Sequence, residues 1–157
     1  MLGQTQAPVV NTREESPIWF LGAPTLIRAT GESTNGAFGL IEHLTIASGF
    51  ASPYHIHHNE DEAFYVLDGT IAFVSDGKWF SAGPGAYVFL PREIPHGFKV
   101  EGPTDAKLLI LCSPAGFERF VLELSEPASG AAPPMEKLIR TAAKYKIDIL
   151  GPLPATI

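Results

Sequence analysis

His55 and His57 stand two residues apart in the stretch GFASPYHIHHNEDEAFYVLDG, residues 49–69, which holds three of the chain's five histidines and then the acids Glu60, Asp61 and Glu62. On an extended segment alternate side chains share a face, so His55 and His57 point one way and Ile56 and His58 the other. Two neutral imidazoles on one face offer two lone pairs to a single ion. Glu62 follows His57 by an odd number of residues, which puts it on the wrong face of an unbroken strand. Asn59 and Asp61 are comfortable in turns. A bend there can return Glu62 to the histidine pair, with His58, Glu60 and Asp61 as its solvent-facing wrapping. A fourth donor has to come from elsewhere, and His96 is the candidate: Pro91 and Pro95 close one strand and His96 opens the next, HGFKV. Each piece alone has a plainer reading, a polar turn between strands or a hydrogen-bonded loop histidine. His43, in GLIEHLTIA, lacks such a partner and reads as a surface or hydrogen-bonded histidine. Cys112, in KLLILCS, reads as a small buried hydrophobe.

The elements that must position these residues are short. Fifteen glycines and fourteen prolines are scattered along the chain and cut it into brief runs, which suits strands and turns. TLIRAT, AFGLIEHLTIA, AFYVL, TIAFVS, KWFSA, GAYVFLP, HGFKVEG and AKLLILCS give about eight strands between Thr25 and Ser113, spaced as in an antiparallel sandwich or barrel. Asp68-Gly69 and Asp76-Gly77 both read as hairpin turns. GFERFVLELSEPA fits a strand or a short helix, SGAAPP a linker, and PPMEKLIRTAAKYKI a helix with an apolar stripe. The expected division is an N-terminal arm or strand over 1–24, a β-barrel over 25–125, and a linker and helix over 126–157 packed on the barrel.

The 157 residues suit one domain. A net charge of −6 without a Lys/Arg cluster excludes a nucleic-acid footprint. One cysteine excludes an internal disulfide and a Cys-rich zinc site. The N-terminus lacks the basic and apolar regions of a signal peptide, and no apolar run nears the roughly 18 residues of a membrane span. The expected location is cytoplasmic.

The spacing Gly49-x5-His55-x-His57-x4-Glu62-x6-Gly69 resembles the first signature motif of the cupin superfamily, and Gly85-x5-Pro91-x4-His96 resembles the second. Two positions depart from the second motif: Glu93 stands where a glycine is usual, and Val100 where an asparagine is. The resemblance implies a cupin double-stranded β-helix, a jelly-roll barrel, with one divalent transition metal (Fe, Mn, Ni, Co, Cu or Zn) held by His55, His57, Glu62 and His96. Within the superfamily, PYHIHHNEDEAFYVLDGTIAF, LPREIPHGF and CSPAGFERF resemble quercetin 2,3-dioxygenase-like members. That implies a metal-dependent dioxygenase on a phenolic or enolic small molecule, with dioxygen as co-substrate and Glu62 as both ligand and catalytic base. Tyr54, Phe64, Phe73, Phe98 and Phe117 are candidate liners of a pocket for a flat, aromatic substrate, with Phe117 and Phe120 as a lid. Two alternatives stand beside this: a non-redox isomerase or lyase, and a small-molecule sensor without turnover. Exposed edge strands in a small barrel favour a homodimer, through TLIRAT or through SPIWFLG with Trp19.

Overall fold

The computed structural model describes residues 7–12, 15–126 and 132–156 and packs two antiparallel sheets face to face. One sheet runs β1 (Ile18–Phe20), β2 (Ala23–Ala29), β3 (Gly39–Ile46), β10 (Ala106–Ser113), β5 (Asp61–Asp68) and β8 (Tyr87–Leu90). The other runs β11 (Ile147–Gly151), β4 (Tyr54–His57), β9 (His96–Glu101), β6 (Thr70–Ser75) and β7 (Lys78–Ala82). The result is the jelly-roll architecture. Period-two alternation makes its core: β10 buries Ala106, Leu108, Ile110 and Cys112 and turns the residues between them outward. Val66, Ile71, Phe73 and Leu108 are wholly enclosed. Helix α1 (Phe117–Leu124) follows β10, and α2 (Met135–Lys144) precedes β11. GFERFVLEL is therefore helical, and it lays the stripe Phe117, Phe120, Val121 and Leu124 into the core.

Several expectations are corrected. Asp68-Gly69 is not a hairpin turn, because β5 pairs with β10 and β8 while β6 pairs with β9 and β7. The turn instead carries the chain from one sheet to the other. Gly69 is needed there twice over: its φ is +78°, and a Cβ would lie 2.7 Å from the Asp105 carbonyl. Asp76-Gly77 does close a hairpin, with φ of 49° and 72° and Ser75 opposite Lys78. Nine strands, not eight, lie between Ala23 and Ser113, and the missing one is β4, whose YHIH lacks any apolar alternation. The C-terminal segment holds a strand as well as a helix. TLIRAT is no free edge, since β2 is paired on both sides. The expected linker SGAAPP overlaps residues 127–131, which lie outside the described residues. Among the described residues no helix is long and apolar enough to cross a membrane.

The turn between β8 and β9 explains one departure from the motif. Glu93 adopts φ +66°, the left-handed conformation a glycine takes freely. Its N–H donates to the His57 carbonyl at 2.8 Å, and its carboxylate pairs with His58 at 2.9 Å. The turn thus keeps its shape without the glycine, at a backbone cost of roughly 1 kcal/mol. Glu93→Gly is expected to leave the fold unchanged and raise stability by up to about 1 kcal/mol, because the surface pair it removes contributes little; a denaturant melt measures this.

Candidate metal centre

Three strands from two sheets meet at one end of the barrel. β4 supplies His55 and His57, and their alternation sends both rings inward. β9 begins at His96, directly across from His55. From the facing sheet, β5 supplies Glu62 after a bend at His58 and Asn59. The bend is tied by Asp61, which accepts from the Arg92 backbone N–H at 2.9 Å and from its guanidinium at 3.1 Å. His58 leaves the site, bridging Glu93 and Asp148 on the surface.

The four inward side chains converge. One ligating atom from each of His55, His57, Glu62 and His96 lies within 4.8 Å of all the others. Glu62 Oε2 is 2.6 Å from His96 Nε2, 3.5 Å from His57 Nε2 and 4.0 Å from His55 Nε2. The far side of each ring is locked. His55 Nδ1 donates to the Pro53 carbonyl at 2.8 Å and His96 Nδ1 to the Ile94 carbonyl at 3.0 Å. A carbonyl only accepts, so each of these Nδ1 atoms carries a proton, and each ring is held with its Nε2 turned inward, the nitrogen an ion would take. His57 Nδ1 faces Glu60 Oε2 at 3.2 Å.

Charge follows this layout. Burial pushes the His55 pKa down to about 3, with His96 and His57 adding to the effect. For His57 burial again opposes the charged form, but the Glu62 and Glu60 carboxylates outweigh it and hold its pKa above the ordinary value. Burial alone would raise Glu62, yet the surrounding imidazoles hold its carboxyl well below the usual range. Glu62 is therefore an ionised carboxylate. His57 Nε2 is buried without a hydrogen-bond partner. An orphaned imidazole nitrogen facing two more nitrogens and a carboxylate is satisfied by a divalent ion, and the residues fit one.

Sequence reasoning missed Glu60. It is not a solvent-facing turn acid: it is 3 % exposed and orients His57 from behind. The bend that returns Glu62 to the site also turns Glu60 under β4, and the spacing of three from His57 was its only signal.

Beside the donors lies an apolar cavity with about 60 Å³ for water-sized occupants, room for about four waters. Phe64, Phe98 and Phe117 border it, as do Phe50 and Phe120. Tyr54 and Phe73, also expected at a pocket, do not. Tyr54 alternates with His55 and so faces away, its hydroxyl accepting from the Gly77 N–H at 3.3 Å. Phe73 is wholly buried, packed among Phe64, Phe80 and Phe98. Cys112 lies beneath Glu62, Sγ to Oε1 3.7 Å. Burial pushes its thiol pKa well up, so it is a core residue and not a nucleophile.

The family model for the cupin domain matches residues 42–112, from the middle of β3 nearly to the end of β10. The match takes in both histidine-bearing motifs, with His55, His57, Glu62 and His96 all inside it. Over 75 residues the chain is 31% identical to quercetin 2,3-dioxygenase of Bacillus subtilis (strain 168), a match that covers 48% of this chain and 22% of that one. The chain thus spans about a fifth of the length of that curated relative. Among solved structures it is similar to KdgF from Halomonas sp., with a TM-score of 0.60 and 20% identity over 73% of this chain and 99% of that one. It is also similar to the polyketide cyclase RemF from Streptomyces resistomycificus, with a TM-score of 0.56 and 25% identity over 68% and 80%.

Proposed function

We propose that this protein is a metal-dependent cupin dioxygenase of a small phenolic or enolic chelator. The observation that carries this reading is the meeting of three inward Nε2 atoms and an ionised carboxylate with an aromatic cavity. When bound, a divalent transition ion supplies Lewis acidity to a chelating oxygen and, if redox-active, electron transfer toward dioxygen. The residues do the rest. Glu62 Oε2 is the acceptor placed for the proton of the substrate hydroxyl; the imidazoles that keep it ionised also weaken it as a base, so the transfer relies on a bound ion acidifying that hydroxyl. Phe64 and Phe98 flank a flat ring. Phe117 and Phe120 close the cavity from α1 and keep water out, so a substrate larger than a few waters enters by displacing them. The likeness to quercetin 2,3-dioxygenase supports the oxidative chemistry. The likeness to RemF, a polyketide cyclase, supports a second reading, a non-redox isomerase or lyase that consumes no dioxygen.

Elemental analysis of the purified protein, followed by an oxygen electrode with flavonols, catechols and enols, separates the two. The expected result is a transition metal near one equivalent and oxygen uptake with at least one member of the panel. Glu62→Gln should lower that uptake by 100-fold or more, the usual order for a lost general base. Bound metal with turnover under nitrogen and no oxygen uptake would move the assignment to the second reading.

A further inference from the structure

His43 borders the same cavity as Glu62 but is no ligand. It is 5 % exposed, lies on β3, and stacks on Phe20 with ring centroids 6.1 Å apart. Register pairs it with Thr25 on β2. The Thr25 hydroxyl donates to the Ala23 carbonyl at 2.9 Å, so its single proton is committed. At 2.8 Å from His43 Nδ1 the same oxygen can then only accept. The chain of bonds therefore fixes the proton of His43 on Nδ1 and leaves a lone pair on Nε2, for which no partner exists among the described residues. Burial lowers the imidazole to a pKa of about 4, so the ring is neutral and its acceptor is available.

A buried ring with an acceptor not bonded among the described residues, on the wall of a largely apolar cavity, is placed to recognise a donor. We propose that His43 Nε2 accepts a hydrogen bond from a second hydroxyl of the substrate, remote from the group that chelates the metal. This rests on the reading of the site as a chelator of phenols or enols, and it narrows the substrate class. His43 lies opposite Leu108 and Glu62 opposite Cys112 on β10, two strand spacings across and four residues along. That is roughly 15 Å between backbones, and the inward side chains bring the two groups near enough for the Glu62 charge to act on the imidazole. The favoured molecule is thus a fused or linked ring system with a chelating oxygen pair at one end and a hydroxyl at the other. His43 acts here as a specificity residue, and Thr25 positions it.

The test is equilibrium binding to the zinc-loaded protein, since zinc has no redox chemistry and the ligand is not consumed. The probes are 3-hydroxychromone, 3-hydroxyflavone and their singly ring-hydroxylated derivatives. Wild type is expected to bind at least one hydroxylated derivative about tenfold more tightly than its parent, the order expected for one hydrogen bond in a dry site. In His43→Phe that ratio should fall to about one. His43→Gln, which keeps an acceptor near the Nε2 position, should retain most of it. Thr25→Val, which frees the tautomer, should reduce it in part and gives a second route should the Phe variant fold poorly. A ratio near one in wild type, or a ratio unchanged in His43→Phe and Thr25→Val, would overturn the assignment of His43 while parent binding upheld the chelating site. Failure of every probe to bind zinc-loaded wild type would overturn both.

Discussion

His57→Ala is expected to strip the protein of its metal and abolish the oxygen uptake that depends on it. His57 is wholly enclosed, with His55, His96 and Phe117 around its ring at centroid distances of 5.1, 5.5 and 5.0 Å. Among the described residues nothing satisfies its Nε2, so this nitrogen gains the most from an ion. The three remaining donors can form only an incomplete site, and Glu60 is left buried without the imidazole it orients. A loss of metal affinity of more than 100-fold is expected, beyond the 10- to 100-fold that removing an outer partner costs. Titration with zinc against a competing chelator measures it. The thermal melt of wild type should rise on adding metal, because binding adds to folding stability, while the melt of the variant should not respond. A variant that still binds one equivalent with wild-type affinity would remove His57 from the site.

Glu60→Ala should lower metal affinity 10- to 100-fold without removing any ligand. Glu60 Oε2 faces His57 Nδ1, so it holds the ring at the angle that aims Nε2 inward and makes that nitrogen a better donor. The packing around Glu60 is close: a Cβ on Gly116 would come within 2.9 Å of its Oε1. Glu60→Gln keeps an oxygen to accept from Nδ1 and should lose less affinity. Glu136→Ala is the control. Glu136 pairs with Arg140 on the exposed side of α2, and its loss should leave metal affinity within about threefold, as for other exposed pairs. Equal affinities for Glu60→Ala and Glu136→Ala would reduce Glu60 to packing.

The donor spacing was the most legible part of the molecule. Period-two alternation puts His55 and His57 on one face whatever the surrounding fold, and motif spacing pointed to Glu62 and His96 across a separation of thirty-four residues. The strands of the barrel were legible where apolar alternation marks them, as in AKLLILCS. What failed had a common cause. Glu60, the turn at Asp68-Gly69 and the strand β11 all depend on which sheet a segment joins, and local pattern carries no information about that. An Asp-Gly turn has the same backbone preference whether it closes a hairpin or passes the chain between sheets. For the aromatics, a phenylalanine on a cavity wall and one packed behind it have the same local surroundings, so Phe64 and Phe73 could not be told apart before the barrel was closed.

The pairing of β4 bears on how the protein reaches its native state. This strand meets β9 at one position, His55 with His96, but meets β11 along its whole length, with Ile147 opposite His57 and Ile149 opposite His55. Its surface link to the same strand, His58 to Asp148, closes ninety residues of chain. Contacts so distant in sequence carry the largest loop-closure cost. Until β11 docks, the two histidines have almost no backbone ladder to hold them, while Glu62 sits in a strand already flanked by neighbours nearer in sequence. An ion met at that stage would draw β4 in through its side chains, a template for the docking of the last strand.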